Sequence, residues 1–185
     1  GGGDGAVYMH DPTSSFTTTS ITAAGFAHAA AGFGRFSLDA ASENSMDANT
    51  NDWLIVGAQQ ACYIFKVTSP SNVQRMFYTT TTTGDPEHNI GYRVGIYAGE
   101  GHVVAVTNND GMKGFWILDT RRPVTQFELL ADARVAGFKF AVTLDIIAAS
   151  APSRGTSPAS FILVARWQST GSWGALETID VAGNT

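Results

Sequence analysis

The sequence predicts an all-β protein, and three observations support that prediction. The apolar runs are short, about five or six residues each, and clusters of Gly, Ser, Thr, Asn and Pro bound them. Charged residues make up only 15% of the chain, while β-branched and aromatic residues are frequent. Finally, one order of apolar runs recurs three times along the chain, which is typical of a repeat architecture.

Each repeat contains two strongly apolar runs joined by a hairpin connection. In the first repeat, the continuous apolarity from Trp53 to Val56 predicts a central strand buried on both faces. In the second repeat, Asn109-Asp110-Gly111 forms the connection, because Gly accepts the positive φ that a tight turn requires. The paired runs are residues 53–58 with 61–66, 102–107 with 114–119, and 145–150 with 160–165.

A further strand completes each repeat, at residues 73–78, 124–129 and 174–179, so that each unit holds four short antiparallel strands. Residues 5–10 and 15–22 are similar to the third and fourth strands of an incomplete unit. An Ala-rich stretch from Ser20 to Ala31 is the competing candidate for a helix. Four-stranded units of roughly 45 residues are typical of β-propeller blades, and a β-sandwich is the alternative.

The predicted architecture is therefore a β-propeller segment of about three and a half four-stranded antiparallel blades. A partial blade and linker occupy residues 1–30, and blades occupy residues 31–84, 85–132 and 133–185. A propeller ring usually closes with about four to eight blades. We therefore expect the chain to be part of a larger polypeptide, or another chain to complete the ring.

The order of motifs resembles the FG-GAP repeat of integrin α-chain propellers and many microbial surface proteins. In the first unit, Phe33-Gly34 precede Ile55-Val56-Gly57-Ala58 and then Tyr63-Ile64-Phe65. The second unit is more divergent and begins with Gly91-Tyr92, and the third begins with Gly137-Phe138. The remaining matching stretches are residues 5–8, 103–106, 115–117, 146–152 and 161–164.

This resemblance implies a non-catalytic extracellular or cell-surface module that mediates adhesion or binds a protein or glycan partner. The alternative is a structural subunit of an extracellular filament or appendage, which would self-assemble. An enzyme would need catalytic residues from blades outside this stretch. We therefore expect no catalytic and no cofactor-binding residue in this chain.

Calcium is the metal to consider, because FG-GAP blades often bind it in a loop of alternating acidic residues. The corresponding stretch places Asp47, Asn49 and Asn51 at alternate positions, but it lacks the expected Gly, and the closing Asp is displaced. We interpret it as an Asx-type turn without calcium. His10, His28, His88 and His102 share no metal-ligand spacing, so we expect no metal site.

Charge and hydropathy exclude two classes of partner. The chain carries 11 basic against 16 acidic residues, a net charge of −5, and its one basic pair is Arg121-Arg122. This does not form a nucleic-acid footprint. No apolar run approaches the roughly 20 residues that a membrane span requires, so we expect no membrane insertion within this stretch.

Three further features have competing interpretations. The one cysteine, Cys62, lies in an apolar run and is expected to be a buried hydrophobe rather than a reactive thiol. The run from Thr79 to Thr83 predicts a strand end, and O-glycosylation there and at residues 17–19 is the alternative. We expect core or interface packing, rather than sugar stacking, for Trp116, Trp167 and Trp173.

Overall fold

The structure is a computed structural model in which every regular element is a β-strand, over the residues that it describes. Those residues form fifteen strands and no helix, which confirms the predicted all-β class. The competing helix at residues 20–31 begins within a strand, and its part beyond Ile21 lies outside the described residues. The described residues are 7–10, 18–21, 37–43, 51–58, 61–69, 72–80, 91, 93–108, 113–123, 127–135, 139–150 and 161–181.

The strands form antiparallel sheets in which sheet neighbours are consecutive in the sequence, except that β15 pairs with β13. A two-stranded ribbon pairs β1 (Val7–His10) with β2 (Thr18–Ile21), as predicted for the incomplete unit. The first four-stranded sheet follows the order β3-β4-β5-β6. Its strands are β3 (Ser37–Ser42), β4 (Asp52–Ala58), β5 (Ala61–Ser69) and β6 (Asn72–Thr80).

The second and third sheets repeat this arrangement. The second sheet contains β7 (Arg93–Gly99), β8 (His102–Asn108), β9 (Lys113–Asp119) and β10 (Glu128–Val135), in that order. In the third sheet, β13 pairs with three strands rather than two, which makes it five-stranded. Its strands are β11 (Phe140–Val142), β12 (Ile146–Ser150), β13 (Phe161–Gln168), β14 (Ser172–Trp173) and β15 (Glu177–Asp180).

Two of the predicted fourth strands were misplaced. The strand predicted at 124–129 overlaps β10, which begins only at Glu128 and follows the turn at Arg121 and Arg122. The strand predicted at 174–179 begins only at Glu177, as β15. The N–H of Gly174 bonds to the carbonyl of Arg166 at the end of the short strand β14, and β15 starts three residues later.

The three sheets stack face to face in chain order. A first apolar cluster joins the first and second sheets, and a second cluster joins the opposite face of the second sheet to the third. No sheet closes on itself in the described part of the chain, and the propeller arrangement stays a prediction. The first cluster contains Trp53, Ile55, Cys62, Ile64, Ile96, Ala98, Val103, Ala105, Leu118 and Phe127. The second contains Val104, Val106, Phe115, Ile117, Ile147, Ala149, Leu163, Ala165 and Trp173.

Side chains of β3 bind the backbone of β7, which is an outer strand of the second sheet. The N–H of Ile96 donates to a carboxylate oxygen of Asp39 at 2.9 Å, and the N–H of Val94 donates to the hydroxyl of Ser37 at 3.2 Å. These bonds satisfy donors that the ladder of the second sheet leaves free on this side. They also fix the position of β7 beside β3.

Gly57 on the first sheet and Gly91, two residues before β7, lie in close contact. A Cβ atom added to Gly57 on β4 would lie 2.1 Å from the carbonyl oxygen of Gly91. Gly91 itself has a φ of +103°, and a Cβ atom there would lie 2.5 Å from the carbonyl oxygen of Ala58. Both positions therefore require glycine, Gly57 for space and Gly91 for space and conformation. The Val-Gly-Ala and Gly-Tyr motifs of the sequence meet here.

We predict that Gly57→Ala costs about 3 kcal/mol of unfolding free energy, because the new methyl group meets backbone that cannot move aside. Gly101→Ala is the matched control, since Gly101 has a φ of +74° but nothing within 4 Å of an added Cβ atom. Its conformational cost alone should be about 1 kcal/mol. Equal losses for the two variants in urea titrations would contradict the close approach of the sheets.

Candidate functional site

The most densely connected polar cluster among the described residues begins where β9 ends. Asp119 is the last residue of β9, and its side chain is only 1% exposed. The backbone N–H of Arg121 donates to Asp119 Oδ1 at 2.9 Å, which closes a short Asx-type turn. The next residue after Asp119, Thr120, accepts the N–H of Val103 on its hydroxyl at 2.8 Å. The turn is therefore held to the start of β8.

Asp119 and Arg121 form a bidentate ion pair between neighbouring turn residues. Arg121 Nη2 lies 2.7 Å from Asp119 Oδ2, and Nε lies 3.1 and 3.2 Å from the two carboxylate oxygens. Trp173 Nε1 donates to Asp119 Oδ2 at 3.0 Å from the third sheet. Planar pairs of this kind are among the stronger hydrogen-bonded contacts in proteins. Both oxygens of the Asp119 carboxylate therefore accept hydrogen bonds from groups of the protein itself.

Two tryptophans of the third sheet flank the guanidinium of Arg121. Its central carbon lies 3.8 Å from the ring centroid of Trp167 and 5.7 Å from that of Trp173. The two indoles are opposite each other on β13 and β14, with centroids 5.6 Å apart and planes at 71°. A cation over an indole face is stabilised by the ring quadrupole, more so when water is excluded. The predicted packing role of Trp167 and Trp173 is confirmed, and Trp116 packs against the first cluster.

The outer side of Arg121 binds the β11–β12 turn. Nη1 lies 3.2 Å from Asp145 Oδ1, and Nη2 donates to the carbonyl of Leu144. Burial lowers the pKa of the Arg121 guanidinium, but hydrogen bonds and charge from Asp119 and Asp145 outweigh it, so the pKa lies above its ordinary value. Arg121 is therefore a permanent cation that joins the second sheet to the third.

These contacts of Arg121 hold the second sheet to the third, and we call them the Arg121 clamp. They are not the arrangement of an acid–base centre. Asp119 and Arg121 neutralise each other, and the proton of the guanidinium is held more firmly than usual. The sequence had marked Arg121 only as half of a basic pair. An Asp two residues before an Arg at a strand end is the one local signal of the turn, while the contact with Trp173 spans 54 positions.

The candidate metal-binding histidines that the structure describes lie on different strands. His10 is on β1, and His102 starts β8 in a half-buried position. Asp47, Asn49, His28 and His88 lie outside the described residues, so the calcium question stays a prediction. Within the part of the chain that the structure describes, no group of three or more His, Cys, Asp or Glu could hold a metal ion.

The threonine-rich segments lie partly on strands. Thr79 and Thr80 end β6, as the prediction of a strand end required, and Thr18 and Thr19 lie on β2. Residues 17 and 81–83 lie outside the described part. O-glycosylation of these segments stays a prediction.

Cys62 is fully buried at the interface between the first and second sheets, which confirms its interpretation as a buried hydrophobe. Burial raises the pKa of its thiol to about 12. A thiol with this pKa is not a nucleophile near neutral pH.

Comparison with known proteins yields no relative. No protein-family model, curated protein or solved structure matches this chain. In the described residues, no helix has the length and apolar character needed to cross a membrane.

We predict that Asp119→Ala lowers the unfolding free energy by about 3 kcal/mol, because it leaves a largely buried guanidinium and the Trp173 N–H without their acceptor. Asp145→Ala removes the other carboxylate of the same arginine, which is well exposed, and should cost less than about 1 kcal/mol. Denaturant titrations of both variants provide the comparison. If the two variants lose similar, small amounts of unfolding free energy, the contacts of Arg121 do not depend on Asp119.

For Cys62 we predict no reaction with a thiol reagent at pH 8 in the folded protein and one equivalent of reaction after unfolding. The unfolded thiol ionises near pH 9 and the folded one near pH 12, so its contribution to stability is complete below pH 9 and is lost as the pH rises towards 12. The stability difference between the parent chain and Cys62→Ala should therefore shrink across this range. Rapid labelling of the folded protein would show instead that the interface between the first two sheets opens.

Proposed function

We propose that this chain is a non-catalytic extracellular or cell-surface module, built of propeller-type blades similar to FG-GAP repeats, that binds a protein or glycan partner. The observation that carries the proposal is the stack of three antiparallel sheets, each formed mainly by consecutive strands of the chain. A stack of repeated sheets offers a broad, rigid surface rather than a single deep site. The FG-GAP resemblance of the sequence supplies the expected class of function.

The stacked sheets gather their turns at one edge, which we call the Arg121 edge and define as residues 100–101, 120–122, 143–145 and 169–171. Hydrogen bonds join these turns: Thr120 binds Val103 next to the first, and Arg121 binds Asp145 in the third. The carbonyl of Asp145 accepts the N–H of Trp167 close to the fourth. Loops held on a rigid scaffold are the usual place for partner recognition in proteins.

The exposed surface of this edge is polar. Glu100 and Asp145 supply carboxylates, while Ser169 and Thr170 supply hydroxyls on the turn between β13 and β14. The Thr170 and Ser172 hydroxyl oxygens lie 3.0 Å apart and hydrogen-bond to each other. Such groups suit hydrogen bonding to a glycan or to a polar protein surface. Because the Arg121 clamp fixes the turns, binding there would require little ordering of the chain.

A second candidate function is that of a structural subunit in an extracellular filament or appendage. One specific observation favours it, namely the exposure of Ile146 and Ile179 on the third sheet and of Val181 just after β15. Removal of exposed aliphatic side chains from water favours the association of subunits.

We predict that binding to a panel of immobilised glycans and extracellular-matrix proteins depends on the Arg121 edge. The variant Ser169→Lys with Thr170→Lys should weaken binding to a panel ligand at least tenfold, because two long cations cover the hydroxyl turn. The control variant Asn72→Lys with Gln74→Lys adds the same charge on exposed positions of β6 and should bind normally.

Three results would contradict the proposal. The first is an absence of saturable binding to the whole panel, and the second is equal weakening by the edge variant and its control. The third is release of cleaved product from any panel glycan, which would show catalysis.

A further inference from the structure

We propose that a water molecule is bound in the interior between the first and second sheets, where it bridges the side chains of Thr107 and Trp116. Thr107 lies on β8 and Trp116 lies on β9, and the strand register places them directly opposite each other. Thr107 is completely buried, and the indole nitrogen of Trp116 is buried as well. The paired strands therefore place two polar groups side by side inside the protein.

Both side chains lie on the face of the second sheet that packs against the first sheet. Along β8, Val103 and Ala105 belong to the first cluster, and Thr107 continues this alternation. On β9, Trp116 packs against the same cluster. Directly opposite residues of antiparallel strands have their Cβ atoms about 5 Å apart, so the hydroxyl and the indole share one small region of the interface.

Neither of these two polar groups has a hydrogen-bond partner among the residues that the structure describes. The indole N–H of Trp116 needs an acceptor, and the hydroxyl of Thr107 can both donate and accept a hydrogen bond. An unpaired polar group inside a protein costs free energy, and internal water molecules are the usual partners of such groups. An internal water molecule needs roughly two to four polar partners, and the two side chains meet this requirement.

Two other buried tryptophans differ from Trp116 in having an acceptor on the chain itself. Trp53 Nε1 donates to Glu43 Oε1 at 2.9 Å, and Trp173 Nε1 donates to Asp119 Oδ2 at 3.0 Å. At Trp116, the residue in the opposite position supplies a hydroxyl, but the two groups do not bond directly. A water molecule between them accepts the indole N–H and bonds to the hydroxyl, which satisfies both groups.

The surroundings of this pair favour a neutral ligand over an ion. The first cluster, against which the pair lies, is apolar, and a net charge there would lose its hydration without gaining an opposite charge. An indole N–H also repels a cation, because its hydrogen carries a partial positive charge. The site is near the end of β8, whereas the Arg121 edge adjoins the start of this strand, so the inference does not depend on the proposed ligand binding.

The first test counts internal water molecules by magnetic relaxation dispersion of the water oxygen nucleus, which does not respond to exchanging hydroxyl protons. Relative to the parent chain, Thr107→Val should lose a single long-lived water molecule, whereas Thr107→Ser keeps the hydroxyl and should keep the water. Thr178→Val makes the same change at an exposed position of β15 and is the control, which should match the parent. Equal counts in the parent and in Thr107→Val, or the same loss in the control, would overturn the proposal.

The second test uses the sign of a stability change, after circular dichroism has confirmed that the variants are folded. Valine is close in shape to threonine but has no hydroxyl. With a bridging water, Thr107→Val leaves the Trp116 N–H without its bonded network, so the urea midpoint should fall below that of the parent. In a dry interface, the same change removes an unpaired buried hydroxyl, and the midpoint should rise. A raised or unchanged midpoint would therefore show that no water bridges the pair.

Discussion

The second sheet is apolar on both faces, and this two-sided burial organises the rest of the structure. Along β8, Val103 and Ala105 pack towards the first sheet, while Val104 and Val106 pack towards the third. No side of these residues is left for water, so the second sheet is stable only between two other sheets. The stack in chain order follows from this requirement, because short connections bring consecutive sheets together.

Burial of both faces leaves the polar groups at the strand ends and strand edges, and side chains there satisfy them. Asp39 and Ser37 accept the free N–H groups of β7 between the first and second sheets. Between the second and third sheets, the ion pair of Asp119 with Arg121 satisfies such groups. The guanidinium of Arg121 also packs on Trp167 and Trp173 of the third sheet. Each interface between two sheets therefore combines an apolar cluster with directional hydrogen bonds or ion pairs. These polar contacts fix the position of one sheet relative to the next, which apolar packing alone does not specify.

Local patterns predicted most of the strands, but they misplaced two of the fourth strands and did not predict the contacts between sheets. The continuous apolarity of Trp53 to Val56 predicted a central strand, and the structure pairs β4 on both sides. The late start of β10 at Glu128 was missed because the apolar pattern of residues 124–129 does not mark where strand pairing with β9 begins. The Asp119 cluster was missed because Trp173 reaches it from a distant part of the chain. The sequence motifs that contain Gly57 and Gly91 were recognised from the sequence. The contact between these two glycines was not, because they are far apart in the chain.

The most direct test of the sheet order is a set of nuclear Overhauser effects between methyl groups of the folded protein. The structure predicts cross-peaks that link Ile55 and Ile64 with Val103 and Leu118, and a second set within the cluster of Val104, Val106, Ile147 and Leu163. It predicts no cross-peak from Ile64 to Leu163, because the second sheet separates them. A direct Ile64–Leu163 cross-peak, or the absence of the second set, would contradict the stack of three sheets.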